Sequence, residues 1–171
     1  MTICTYQREC LFGKIESGMI TLSQYGRLVE RCWQILPHHF LGIELDTFVV
    51  MPNHIHGIVI LTGCHTEGRG EAFAQRLQEW PHFIAANASP LRLAHGTQPG
   101  SLGAIVQNFK SVSTRKINQA RASSGTPVWQ RNYHEHIVRN EEELHDLRQY
   151  IVNNPLQWTL DQENPVFWNK G

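Results

Sequence analysis

The chain has 171 residues, 41% of them hydrophobic, with 15 Lys and Arg set against 15 Asp and Glu. That length suits one domain able to bury about two-thirds of the surface its unfolded form exposes, which excludes a disordered chain. The balanced charge gives no global attraction to nucleic acid or to a membrane surface, so an anionic ligand has to be met by a local patch.

Ten histidines are the first oddity of composition. The four cysteines, Cys4, Cys10, Cys32 and Cys64, form no C-x-x-C pair, and the N-terminus carries no signal-peptide pattern. Free thiols in a reducing cytosol are the simplest reading, and no apolar run approaches the ~20 residues of a membrane span.

In chain order, "TICT" followed by "CLFG" predicts a first strand and a turn near Gly13. From Thr21 the apolar spacing turns helical through Leu22, Tyr25, Leu28, Val29, Cys32, Ile35 and Leu36, and Pro37 is expected to end the run. "GIELDTFVV" and "HIHGIVIL", joined by the turn "MPN", read as an antiparallel hairpin. The stretch from Thr62 to Gly100 is rich in Gly, Pro, His, Ala and Thr and reads as an insertion or mobile segment. Ser101 then caps a helix whose apolar stripe is Leu102, Ile105, Val106, Phe109, Val112 and Ile117. Its opposite stripe, Gln107, Lys110, Thr114, Asn118 and Arg121, with Arg115 and Lys116 beside it, holds no acidic residue. "VWQRNYHEHIVR" reads as a strand. Asn140 with Glu143 reads as the cap of a last helix, which stops near Asn154-Pro155, and 156–171 as a tail with aromatic anchors. The sum is a single α+β domain over 1–171, an antiparallel sheet with helices packed on one face.

The hairpin carries the chemistry. His54 and His56 are two apart in a strand, so they project from one face, while Ile55 points to the other, where a core wants it. Two neutral imidazoles so placed can chelate one divalent ion. The bland alternative is a pair of half-exposed strand-edge histidines. His134 and His136 have the same spacing around Glu135 and are candidates for lining a cleft or binding phosphate. Spacing alone does not choose between the pairs.

Three pieces in order, "MPNHIH", "VWQRNYHEHIVR" and "LRQYIVNNPLQW", resemble the single-tyrosine HUH transposases, and within them the REP-associated tyrosine transposases. The similarity runs from about Thr2 to Trp158, broken at the Thr62–Gly100 stretch. It implies a ferredoxin-like HUH fold, the metal-binding pair at His54 and His56, the nucleophile at Tyr150, and a third metal ligand at Asn154. Tyr150 and Asn154 are four apart and share one helix face.

The resemblance further implies metal-dependent cleavage and rejoining of single-stranded or hairpin DNA through a 5′-phosphotyrosine. Mg²⁺ or Mn²⁺ would be the cofactor, and histidine ligation favours Mn²⁺ somewhat. Lys110, Arg115, Lys116, Arg121, Arg131 and Arg139 are the residues expected to meet the DNA backbone, and an ordinary solvated helix face is their bland reading. The cytoplasm, at the nucleoid, is the expected location, and a homodimer is one assembly that relatives show. The alternatives are an HUH nicking endonuclease, a domesticated and catalytically inactive hairpin-binding protein, and a hydrolase whose histidines activate water.

Overall fold

The computed structural model describes residues 1–62 and 100–167. The expected insertion therefore lies, but for its two ends, outside the described residues. The central sheet is antiparallel, in the order β1 (Thr2–Cys4), β5 (His54–Leu61), β4 (Ile43–Val50). β1 and β5 register as Thr2 opposite His56, Ile3 opposite Ile55 and Cys4 opposite His54. Alternation thus divides the sheet, with Ile3 and Ile55 on one face and Thr2, Cys4 and both histidines on the other.

A second ribbon, β2 (Gly13–Glu16) and β3 (Met19–Leu22), was not expected. Ser17 and Gly18 join its strands with φ of 52° and 75°, the mirror-image turn that matches strand twist. The helical spacing seen from Thr21 therefore begins three residues early. α1 (Gln24–Gln34) starts after Ser23, whose hydroxyl accepts from the amides of Tyr25 and Gly26 at 3.2 and 3.1 Å. Pro37 does not stop the chain from coiling. It sits in the first turn of the short α2 (Leu36–His39), where an amide has no intrahelical partner to lose.

α1 and α3 (Leu102–Ala120) pack together on the apolar face. Ser101 caps α3 as expected, accepting from Ala104 N at 3.3 Å. Trp33 is the centre of this core. It stacks on Phe48 at 4.5 Å between centroids and meets Phe109 edge-on at 5.7 Å. β4 carries one extra residue between Leu45 and Phe48. This bulge lets Leu45 and Phe48 both face the core and turns Asp46 to the opposite side. Trp33 also explains Gly57, the residue after the histidine pair, because a Cβ there would lie 2.5 Å from Trp33 Cζ2.

α4 (Glu141–Asn153) and the 3-10 turn Asn154–Leu160 lie over the other face, against β4 and β5, so the sheet is covered on both sides. Asn140 caps α4 through Glu143 N at 2.8 Å.

The stretch expected as a strand after α3 makes only two isolated bridges to β1, at Trp129 and His134. Between them the Lys110 ammonium collects the carbonyls of Gln130, Arg131 and Asn132 at 3.0, 3.2 and 3.0 Å. Three consecutive carbonyls turned to one cation break the side-to-side alternation of a strand, so the ladder does not continue. Among the described residues no helix is long and apolar enough to cross a membrane.

Gly57→Ala should overpack Trp33 and cost about 1–3 kcal/mol. Urea unfolding would show it as a lower midpoint at unchanged slope. A midpoint equal to that of the native sequence would contradict the placement of Trp33 on Gly57.

Candidate active site

The site begins with the turn before β5. Asn53 is fully buried, and its Nδ2 donates to the carbonyls of Arg8 and Glu163 at 3.1 and 2.6 Å. Both partners are acceptors, which fixes the amide's orientation and leaves Oδ1 facing His54 Nδ1 at 2.8 Å. Nδ1 therefore carries the His54 proton, and Nε2 presents a lone pair. The Asn53 carbonyl in turn accepts from Thr5 N at 2.8 Å and Thr5 Oγ1 at 2.9 Å. The turn is thus locked to β1 on both sides.

His56 is two residues on and faces the same way. Its Nδ1 meets Thr2 Oγ1 at 2.9 Å, and its Nε2 lies 3.0 Å from His54 Nε2. With His54 Nε2 bare, His56 Nε2–H donates to it in the metal-free protein, and the Thr2 hydroxyl donates to Nδ1. A hydroxyl can rotate and accept instead. Moving the His56 proton to Nδ1 would then leave two lone pairs converging on one point. At a metal–nitrogen distance of about 2.1 Å, nitrogens 3.0 Å apart subtend about 90°, the angle of an octahedral site.

Both imidazoles are buried, His54 at 0% and His56 at 6% exposure. Burial is the first cause that pulls their basicity down, His54 to about 2 and His56 to about 4. For His54 the neighbouring His56 adds to the effect, and for His56 the N-terminal ammonium does. Neutral imidazole is the form that binds metal.

Two oxygens complete the arrangement. Asp161, at the end of the turn that follows α4, places Oδ2 3.7 Å from His54 Nε2. One nitrogen from each histidine and one Asp161 oxygen lie within 4.8 Å of one another. Asp161 Oδ1 accepts from Glu163 N at 2.8 Å, whereas Oδ2 is buried with no hydrogen-bond partner. Asn154 Oδ1 is likewise buried and unpartnered, in a residue only 2% exposed. A buried oxygen left so costs about 1–3 kcal/mol. The unpartnered Asp161 oxygen beside convergent imidazoles fits a hard divalent cation. Asn154 keeps helical angles (φ −56°, ψ −40°) although Pro155 follows it, and so stays on the face of Tyr150.

Tyr150 is half-exposed, with its ring centroid 5.3 Å from that of His56. Burial and then the charge of Asp161 raise its pKa, while a hydrogen bond from Asn154 works the other way. On the far side Trp158 stands 6.1 Å from His54.

The structure thus brings His54, His56 and Tyr150 to one place, with Asn154 one helical turn on from Tyr150. His134 and His136 stand apart from it. His134 is exposed and serves β1 through its backbone, and His136 Nε2 lies 2.5 Å from Glu143 Oε1 at the start of α4. Of the residues expected to meet DNA, Lys110 is committed to its three carbonyls. Arg121 holds Asn118 Oδ1 and the Thr126 carbonyl, both at 2.9 Å. The charge of Lys116 is felt at Cys32 and His39. Arg115, Arg131 and Arg139 are exposed. Sequence reasoning missed Asp161, Asn53 and Thr2. Asn53 had a signal, a side chain of the right length just before His54. Asp161 had none, because only the fold of the tail returns it to β5.

No family model matches the sequence. A protein of Haemophilus influenzae, itself uncharacterized, is 37% identical over 163 residues, 95% of this chain and 82% of that protein. The chain belongs to the family of that protein. A solved structure of a REP-associated tyrosine transposase, bound to a REP hairpin, is similar over 91% of this chain with a TM-score of 0.52 and 16% identity.

The fold is that of a REP-associated tyrosine transposase. The chain spans 64% of that solved transposase. The antiparallel sheet with its packed helices is therefore shared at the level of architecture.

The lowered histidine basicity has a consequence for stability. The unfolded chain takes up protons as pH falls through about 6.5, while the folded chain refuses them until about 4 at His56 and about 2 at His54. This stability is therefore complete above about pH 6.5 and drains as pH falls below it. Urea midpoints measured in chelator should drop between about pH 7 and pH 5, and His56→Gln should flatten the drop. A native profile already flat over that window would contradict the buried, neutral pair.

Proposed function

We propose that the chain cuts and rejoins single-stranded DNA by a covalent tyrosine mechanism dependent on a divalent cation, with a hairpin-bearing strand as substrate. The observation that carries this reading is the position of Tyr150. The only tyrosine of α4 leans on His56, one of two imidazoles whose Nε2 atoms converge at 3.0 Å.

His54, His56 and Asp161 would hold the ion, with Asn154 at the edge of the set. Asp161 lowers the net charge of the site, Asn53 holds the His54 tautomer, and the Thr2 hydroxyl can accept from a His56 proton at Nδ1 when Nε2 is needed for the ion. When bound, Mg²⁺ or Mn²⁺ would polarise the scissile phosphate and offset the Asp161 charge that helps keep the Tyr150 phenol protonated. The Tyr150 oxygen then attacks phosphorus, and the bond from phosphorus to the 3′-oxygen breaks. The phenol proton leaves to solvent, the departing 3′-oxygen takes one up, and a 5′-phosphotyrosine remains. The reverse attack by a 3′-hydroxyl restores the phosphodiester and frees Tyr150, so no external energy source is consumed. Asn154, one helical turn on from Tyr150 and on the same face, would orient the phenol. Half-exposure of Tyr150 leaves its oxygen open to a strand arriving from solvent, while both histidines stay shielded beneath it. The exposed Arg115, Arg131 and Arg139 are the side chains left to meet phosphates.

The test is a labelled single-stranded hairpin DNA incubated with protein and Mn²⁺, then run on a denaturing gel. A shifted band is expected, and it should vanish in Tyr150→Phe while native-gel binding of the hairpin persists. Cleavage with no shifted band would instead identify a water-activating hydrolase, and binding with neither would identify a hairpin-binding protein. Asp161→Asn should weaken Mn²⁺ binding by roughly 10–100-fold, the usual loss for disturbing a metal site, read by calorimetry. Unchanged affinity would remove Asp161 from the ligand set.

A further inference from the structure

The inference concerns what sets the position of Tyr150, and it rests on the reading of Tyr150 as nucleophile. At about 100° per residue, the stripe of α4 that meets the sheet runs through Leu147 and the buried Ile151. Arg148 and Tyr150 are then about 200° apart and straddle that stripe on opposite flanks. A smooth apolar stripe fixes the distance of a helix from a sheet better than it fixes the helix's roll about its own axis. Roll matters here, because tipping α4 one way lowers Tyr150 onto His56 and the other way lifts it off.

One interaction on the far flank fixes the roll. Arg148 Nε reaches both Asp46 oxygens at 3.1 Å, and its NH2 nitrogen lies 2.5 Å from Oδ2. Such a two-toothed fork has a defined plane, which a lysine contact lacks. Asp46 is itself held. It sits at the β4 bulge, its side chain is 13% exposed, and its Oδ1 accepts from Thr47 N and Thr47 Oγ1 at 2.6 and 2.9 Å. The extra residue of the bulge is what turns Asp46 toward α4. The fork to Arg148 is the first cause that holds the Asp46 carboxyl down at about 2, so the pair stays ionised at any pH near neutrality.

Arg148 is 41% exposed along its side chain. Exposed ion pairs add little to stability, and well-formed bidentate geometry is the exception that still imposes an arrangement. We propose that the Asp46–Arg148 fork is a positioning device for the nucleophile: it pins one flank of α4 to the β4 bulge and thereby holds the opposite flank, with Tyr150, over His56. Neither residue touches the reacting atoms. Both act through the orientation of the helix.

The experiment reads position separately from chemistry. Growth with 3-fluorotyrosine labels the 4 tyrosines, and Tyr150→Phe identifies the Tyr150 fluorine resonance. The His56 ring, 5.3 Å from that of Tyr150 between centroids, should displace that resonance in the native sequence without added metal. In Asp46→Asn and in Arg148→Gln the displacement should largely disappear, while the resonances of Tyr6, Tyr25 and Tyr133 keep their native shifts and report an intact fold. The exchanged pair, Asp46→Arg with Arg148→Asp, should recover much of it, and Arg148→Lys should fall between.

Adduct formation should fall roughly 10–100-fold in the single variants, the cost of a small misplacement of a reacting group, with hairpin affinity unchanged. A native Tyr150 shift and native adduct rates in both single variants would overturn the proposal. So would failure of the exchanged pair to recover anything while the other three resonances stay native. The Tyr150 shift set by the His56 ring needs no metal, so the comparison stands apart from the metal reading. A native protein that forms no adduct, yet whose Tyr150 resonance follows the pair, would end the nucleophile reading and leave the positioning role standing.

Discussion

The convergence of His54 Nε2 and His56 Nε2 at 3.0 Å is the constraint around which the rest of the structure is arranged. Two imidazoles buried beneath a helix are costly as cations, so the protein keeps them neutral. Neutral imidazoles at that separation share a proton or share a metal. Strand alternation alone puts the two rings on one face. The finer placement comes from Asn53, whose amide is oriented by two carbonyls that accept only, and from Thr2, whose hydroxyl tolerates either tautomer of His56. Support of this kind, one shell out from the ligands, is what holds a metal site ready before the metal arrives.

The core on the other side of the sheet serves the same end. Trp33 packed over Gly57 and stacked on Phe48 holds β5 against α1. The β4 bulge keeps the apolar residues on that face and at the same time turns Asp46 to the face of the histidines. One irregularity in one strand therefore satisfies the core and supplies the anchor for α4. The tail that follows α4 then brings Asp161 back to His54. A nucleophile candidate, a charged ligand candidate and an amide are delivered by a single stretch from Tyr150 to Asp161.

Much of this was legible in the sequence. The hairpin around "MPN", the alternation that pairs His54 with His56, and the four-residue spacing of Tyr150 and Asn154 follow from period and turn chemistry. The resemblance to REP-associated tyrosine transposases indicated which of two H-x-H pairs to favour, and the architecture agrees with that family. What failed was local pattern overruled by longer contacts. "KIESGMITL" is too short to signal a ribbon, and its end blends into the stripe of α1. "VWQRNYHEHIVR" alternates like a strand, yet the Lys110 ammonium draws three of its carbonyls away. A helical wheel also does not display what Lys110 and Arg121 hold: three backbone carbonyls for the first, and Asn118 Oδ1 with the Thr126 carbonyl for the second. Asp161 was illegible for a related reason: its chemistry depends on where a tail lands, and no periodicity encodes that.

Pulsed electron paramagnetic resonance of bound Mn²⁺ reads most directly whether both histidines build a divalent site. Electron spin-echo modulation should show two coupled nitrogens in the native protein, falling to one in His56→Gln with Tyr150 left in place. A Mn²⁺ signal with oxygen ligands alone, unchanged by His56→Gln, would contradict the account: the paired imidazoles would then be a buried hydrogen bond of the sheet and not a metal centre.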